Sequence, residues 1–128
     1  MKRMNVPDDL RYTKEHEWVK IDSDVIIVGI TDHAQSELGD IIFIEFPDQD
    51  QLVSKNEPFG TIEAVKTVAD LFAPLSGKII EVNNNLEDNP DLVNSDAYGD
   101  GWIVKISNFN HDELENLLNA DQYMELIK

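Results

Sequence analysis

The tightest constraint on this chain is the form of its apolar segments. They are short and rich in β-branched and aromatic residues. His16 to Ile21, Val25 to Ile30 and Ile41 to Phe46 are each bounded by Asp, Gly or Pro. Further segments of this kind run from Phe59 to Val65, Val68 to Ala73, Lys78 to Val82 and Trp102 to Ile106. Such residues suit a pleated, half-buried surface, and turn residues close each run. Many short strands with turns between them predict a barrel or sandwich. The chain has 128 residues, of which 41% are hydrophobic. That is one domain, residues 1–128, with a real core and no compositional sign of disorder.

Helical signals are fewer. Thr31 or Asp32 can cap a short helix running to Leu38, with Gly39 as its stop. Asn89 and Pro90 read as a cap followed by proline in the first turn. The tail, about 110–128, reads as helical. Asn110 and Glu113 have capping-box spacing, and Leu114, Leu117 and Leu118 would share one helix face. A last short helix is expected from Gln122 to Ile127.

An internal echo links Gly39-Asp40-Ile41-Ile42 with Gly77-Lys78-Ile79-Ile80, Leu52-Val53 with Leu92-Val93, and Pro58-Phe59-Gly60 with Ala97-Tyr98-Gly99. Two repeats are too few for a solenoid, so a closed β structure of two pseudo-symmetric halves is expected. Between the halves lies Glu63-Ala64-Val65-Lys66-Thr67-Val68-Ala69-Asp70. One strand must turn back into the next there, within a hairpin of about 58–74, and Lys66 falls at its tip. A lysine amine in water titrates near ~10.4, so it stays protonated at neutral pH and makes a poor general base. A tip lysine is open to a modifying enzyme, or it solubilises a tight turn. The residues by themselves leave both readings open.

Charge narrows the partners. Ten Lys and Arg face 26 Asp and Glu, a net of −16. From Glu81 to Asp100 there are six acids and no base. That surface repels phosphate backbones and anionic lipid, so no nucleic-acid or membrane partner is expected. No apolar run is long enough to span a bilayer, and the first residues do not form a secretory signal. Cysteine is absent, which fits a reducing compartment and excludes disulfides, thiol catalysis and thiolate metal sites. His16, His33 and His111 share no metal-ligand spacing and read as structural or surface residues. Asp48-Gln49-Asp50 fails as a calcium loop, because Val53 and Phe59 hold the positions that require Gly and Glu. No phosphate-binding loop, nucleophile elbow or dinucleotide fingerprint is present.

Ile62-Glu63-Ala64-Val65-Lys66, with Asp70 four residues on and Ala73-Pro74-Leu75-Ser76-Gly77 beyond, resembles the lipoyl-attachment motif of the glycine cleavage system H proteins. Separate blocks agree in order: His16-Glu17-Trp18-Val19, the run Gly29 to Asp40, Asn89 to Asn94, and Tyr98-Gly99-Asp100-Gly101-Trp102. The resemblance covers roughly Leu10 to Lys128. Ala64, Thr67 and Ala69 depart from the residues common in that family.

The resemblance implies a barrel-sandwich hybrid, mainly β, with short helices. It implies lipoate joined as an amide to Lys66, with Glu63 as a recognition residue. Glu17 and Asp70 would contact the loaded arm, where a carboxylate beside an ammonium makes a charge-assisted contact. The family consists of non-enzymatic carriers. They take an aminomethyl group from the P protein, glycine decarboxylase, to the T protein, the aminomethyltransferase, and the L protein reoxidises the arm. A lipoyl-transfer enzyme is a further partner, and a monomer is expected. The compartment would be the cytoplasm, or the mitochondrial matrix for a processed form. The alternative role is a lipoyl donor or relay for 2-oxoacid dehydrogenases. A biotinyl carrier fits poorly, because Val65 and Thr67 flank the lysine where such carriers usually have Met.

Overall fold

The computed structural model describes residues 5–128. Its frame starts from two hydrophobic runs that pair directly. β2 (Glu17–Asp22) and β3 (Val25–Ile30) form an antiparallel hairpin closed by Ser23 and Asp24, with Asp22 opposite Val25. Ser23 takes a φ of 56°, the left-handed twist that a two-residue hairpin loop favours. Trp18 pairs with Gly29, and its indole lies where a side chain at 29 would stand: a Cβ there would sit 2.7 Å from the ring. The indole N–H donates to the Ala97 carbonyl at 2.9 Å.

Among the described residues nine strands form two sheets. The first has six, ordered β1 (Arg11–Tyr12), β2, β3, β9 (Val104–Ser107), β8 (Gly77–Val82) and β5 (Leu52–Val53). The second has three, ordered β4 (Ile41–Glu45), β6 (Pro58–Ala64) and β7 (Val68–Phe72). All pairings within the two sheets are antiparallel. Val19, Ile26, Val28 and Ile106 from the first sheet join Ile44, Ile62 and Leu71 from the second in one buried cluster. A second cluster, Leu10, Tyr12, Trp18, Ala120 and Tyr123, seats the last helix on β1 and β2. Full burial of such a side chain contributes about 1.5–3 kcal/mol, so Phe59, Ile62 and Leu71 fix the β6–β7 hairpin firmly to the core.

The mainly β architecture and each of the seven expected strands are present, within two residues at their ends. β1 and β5 were not expected. At two residues each they have no period to read, and only pairing with β2 and β8 defines them. Helix α1 (Asp32–Leu38) is capped as expected: Thr31 Oγ1 accepts from the Ala34 N–H, and Gly39 closes it at φ 80°. The echo is real for one of its three pairs. β4 and β8 each carry a β-bulge at the second Ile of their matching words, Ile42 and Ile80. Leu52-Val53 is a strand, however, whereas Leu92-Val93 opens a helix, so the offset does not extend through the chain.

Three helical expectations are corrected. Asn89 ends α2 (Asn85–Asp88) instead of capping a helix at Pro90, and α3 (Leu92–Ser95) starts later, after Asp91. The capping box at Asn110 does not form. Glu113 turns away to accept from the Ser76 N–H and Oγ at 2.8 and 3.3 Å, and His111–Asn116 winds as a 3-10 helix. Leu117 and Leu118 then leave the helix. Leu118 bridges to Tyr12 in extended form, Leu117 enters the main core, and the two do not share a helix face. The capping box is at Asn119 and Gln122 instead, opening α4 (Ala120–Ile127). Among the described residues no helix is long and apolar enough to cross a membrane.

Candidate functional site

The site is built around the turn between β6 and β7. Glu63 pairs with Val68, the Ala64 N–H donates to the Thr67 carbonyl at 2.8 Å, and Val65, Lys66 and Thr67 form the connection. The Val65 N–H donates to the Asp40 carbonyl at 3.0 Å, which ties the tip to the start of β4. Lys66 is exposed, as its position at a hairpin tip requires. Its stem leans on the end of α1, with Cε 3.4 Å and Nζ 3.8 Å from where a Cβ at Gly39 would stand. Helix α1 has no basic residue in its last turn, and the Lys66 ammonium supplies positive charge at that negative helix end from outside the helix.

Beside this hairpin lies a cavity of about 460 Å³. Its walls are the entry to β2 with Glu15, His16 and Glu17, the face of α1 with His33, Ala34, Glu37 and Leu38, and β7 from Ala69 to Phe72, with Ile30 of β3 and Ile62 of β6 between them. β7 is an edge strand, so consecutive residues along it border the cavity, and among the described residues its outward N–H groups have no strand partner. Glu17 bridges that gap: Oε2 accepts from the Phe72 N–H at 3.0 Å and Oε1 from Thr13 Oγ1 at 2.7 Å. Thr13 Oγ1 also accepts from the Glu17 N–H at 3.1 Å, which locks the side chain against its own turn.

Glu17 is 2% exposed. Burial pushes its carboxyl up to about 7, against the two hydrogen bonds, which favour the ionised form. It is therefore poised between protonation states at neutral pH. His16, at φ 70°, lies beside His33 with ring centres 4.9 Å apart and the rings tilted by 44°. Burial, then the neighbouring His33, lowers its pKa, while Glu15 and Glu37 oppose this weakly. His33 Nε2 is 3.9 Å from Glu37 Oε1. No group of three His, Cys, Asp or Glu suited to a metal ion occurs among the described residues.

The four residues singled out from the sequence separate into two places. Glu17 and Asp70 line one cavity, Glu17 deep and Asp70 exposed. Lys66 and Glu63 do not line it; Lys66 stands at the tip, and Glu63 lies on the outer face of the β4–β6–β7 sheet between Phe43 and Val68. Tyr123 was not anticipated. Its hydroxyl hydrogen-bonds Thr31 Oγ1 at 2.7 Å and His16 Nδ1 at 2.8 Å, and burial pushes it up to about 12. Tyr123 and His16 are 107 residues apart, so no local pattern could join them.

The geometry finds counterparts among known proteins. The family model described as Glycine cleavage H-protein matches residues 10–128. A glycine cleavage system H protein from Geobacillus sp. (strain WCH70) is 50% identical over 125 residues, 98% of each chain. One from Staphylococcus epidermidis (strain ATCC 12228 / FDA PCI 1200) is 53% identical over 124 residues, 97% of this chain and 98% of the relative. Among solved structures, a crystal structure of a glycine cleavage system H protein from Mycobacterium marinum superposes with a TM-score of 0.86 at 37% identity. That match covers 94% of this chain and 97% of the other.

Proposed function

The chain belongs to the glycine cleavage H-protein family, and on that premise we propose that Lys66 is its lipoyl-attachment residue, with the neighbouring cavity as the resting place of the loaded arm. The fold is the barrel-sandwich hybrid of that family, and the protein is a lipoyl carrier of the glycine cleavage system. A role as lipoyl donor to 2-oxoacid dehydrogenases is not favoured by these relatives.

The observation that carries the proposal is the placement of an exposed tip lysine beside a cavity that ends on a buried carboxyl. The residues fit a lipoyl-lysine. The cavity wall between hairpin and carboxyl is apolar at Leu38, Ile62, Ala69 and Leu71, as a hydrocarbon arm requires. Bound as an amide on Lys66, lipoate supplies a dithiol to which an aminomethyl group can be joined. The chain itself does the rest. The hairpin holds the attachment point at a fixed distance from the cavity, so the tethered group meets each docked partner at high effective concentration. Glu17, poised between its two protonation states at neutral pH, shifts to the ionised form when an ammonium approaches, and the resulting pair is charge-assisted. Asp70 adds a second acid, exposed at the rim.

In this reading the protein is not itself a catalyst. It engages the P, T and L proteins and a lipoyl-transfer enzyme as a monomer, and its bacterial relatives support a cytoplasmic setting. Intact-mass analysis after co-expression with a lipoate ligase tests the attachment. The wild type should gain one lipoyl group on Lys66, and Lys66→Arg, which keeps the charge without an acylable amine, should gain none. A lipoyl adduct on the Lys66→Arg protein would refute the assignment. Glycine–bicarbonate exchange with the P protein tests the carrier role.

A further inference from the structure

Strand β4 breaks its own alternation. It reads Ile41-Ile42-Phe43-Ile44-Glu45, and a regular strand would turn every second apolar side chain inward. The bulge between Ile41 and Phe43 turns Ile42 and Phe43 to solvent in succession, 50% and 53% exposed. Bulges re-aim side chains, and this one places two large apolar groups outward next to the hairpin. Across the sheet, Phe43 pairs with Glu63 and Glu63 with Val68, so the three lie in one row on the outer face. Val68 is 60% exposed and Val65, beside Lys66, is 71% exposed. Four of the eight large apolar residues exposed among the described residues thus gather around one lysine. Nothing within the described residues covers this face, and single scattered apolar residues would need no account where a clustered patch does.

The charge at the patch is one-sided. Asp40 and Glu45 are exposed at its margins and Glu63 is at its centre. Between Lys55 and Lys78 the only Lys or Arg is Lys66 itself. An apolar patch set in acids fits a partner with an apolar recess rimmed by Arg or Lys.

We propose that the outer face of the β4–β6–β7 sheet, centred on Phe43, Glu63 and Val68, is the surface on which the enzyme that acylates Lys66 seats, and that this enzyme presents such a basic-rimmed apolar recess. The proposal rests on the reading of Lys66 as the attachment residue. Reach selects this partner. An unmodified lysine has only a four-carbon stem, so an enzyme acting on its amine must cover the hairpin face beside it. Enzymes that act on the far end of an acylated arm work through a longer tether. In the step itself, Nζ attacks the carbonyl carbon of a lipoyl donor activated at its carboxyl. The Lys66 ammonium first loses one proton to a base of the enzyme; the amide C–N bond then forms, the activating group leaves with its electron pair, and the nitrogen gives up a second proton.

The test is steady-state lipoylation of the unmodified full chain by a lipoate ligase supplied with lipoate and ATP, read by intact mass and peptide mapping. Phe43→Thr and Val68→Thr keep β propensity and remove apolar area. Leu52→Thr, at an apolar residue 78% exposed on β5 in the other sheet, is the control. Phe43→Thr and Val68→Thr should each lower kcat/KM about tenfold, mainly through KM, as interface anchors do. Leu52→Thr should match wild type, urea midpoints should remain near wild type, and added salt should raise KM. Equal kcat/KM for all four proteins would overturn the surface while leaving Lys66 in place. A concentration-dependent dimer that Phe43→Thr dissociates would also overturn it, assigning the face to a second copy. Absence of lipoyl mass on Lys66 of the wild type would refute the attachment reading and this proposal with it, a result distinct from the first two.

Discussion

Replacing Glu17 by Gln should change how stability depends on pH, by an amount the structure sets. Both oxygens of Glu17 are engaged; in Gln the carbonyl keeps the bond from the Phe72 N–H, whereas the amide nitrogen cannot accept from Thr13 Oγ1, whose oxygen already accepts from the Glu15 and Glu17 N–H groups, a loss that shifts stability equally at every pH. The substitution also removes a proton site. Burial lifts the Glu17 carboxyl from an ordinary 4.5 to about 7. Between these values the folded chain binds more protons than the unfolded chain, so raising the pH weakens folding; outside the window Glu17 contributes no slope. Each pH unit inside the window changes folding by about 1.4 kcal/mol, so its whole width is worth roughly 3 kcal/mol. That is a large part of the roughly 5–15 kcal/mol typical of a domain. His16 acts with the opposite sign. Its lowered pKa makes the unfolded chain the better proton binder just below pH 6.5, so folding strengthens as pH rises there. The two effects overlap in the raw curves and separate in the difference between proteins. Urea denaturation of wild type and Glu17→Gln at intervals from about pH 4 to 8.5 gives that difference, because His16 and every other common group cancel. The variant should gain on wild type by roughly 3 kcal/mol across the range, most of it between pH 4.5 and 7. A difference that stays flat with pH would show that the Glu17 carboxyl is not held in its neutral form by burial, and the account of a poised acid would fall.

Other outcomes follow from the same geometry. Glu17→Gln/Asp70→Asn should leave attachment at Lys66 intact but shorten the life of the methylamine-loaded carrier about tenfold once P and T proteins are removed. A charge-assisted hydrogen bond is worth roughly 1.5–3 kcal/mol, and an unchanged decay rate would move the protecting contact elsewhere. Glu63→Gln should slow lipoylation while changing stability in urea by no more than about 0.5 kcal/mol, and equal modification rates would remove Glu63 from recognition. Tyr123→Phe should cost about 1–3 kcal/mol, because Thr31 and His16 lose a buried partner. Stability equal to wild type by thermal melting would mean that the hydroxyl bridge carries no load.

How far the sequence could be read depended on the distance between the interacting residues. Val25–Ile30 and Val68–Phe72 were legible because β-branched residues and flanking turns specify a strand locally. Lys66 was legible at a tip because Phe59, Ile62, Leu71 and Phe72 anchor the strands around it. The tail failed where tertiary contacts overrode local preference: Ser76 captures Glu113, and Tyr12 draws Leu118 out of helix. Glu17 was singled out through resemblance. Its perturbed carboxyl arises from the edge of β7, 55 residues away, and nothing near position 17 signals that. The bulge at Ile42 was equally invisible, since an unbroken apolar word reads as a buried strand.

The Tyr123 bridge, which holds His16 of the cavity wall, also sets an order in time. Chains emerge from synthesis N-terminal first. The hairpin and its sheet need only residues 41 to 72, whose pairings are close in sequence. The first sheet is not continuous until β9, at Val104–Ser107, comes between β3 and β8. The hydrogen bonds behind His16 and Thr31 wait for Tyr123, five residues from the last. A growing chain therefore has the pairings that present Lys66 well before it has those that brace the cavity. The tip can be ready for acylation before the molecule is able to shelter a load.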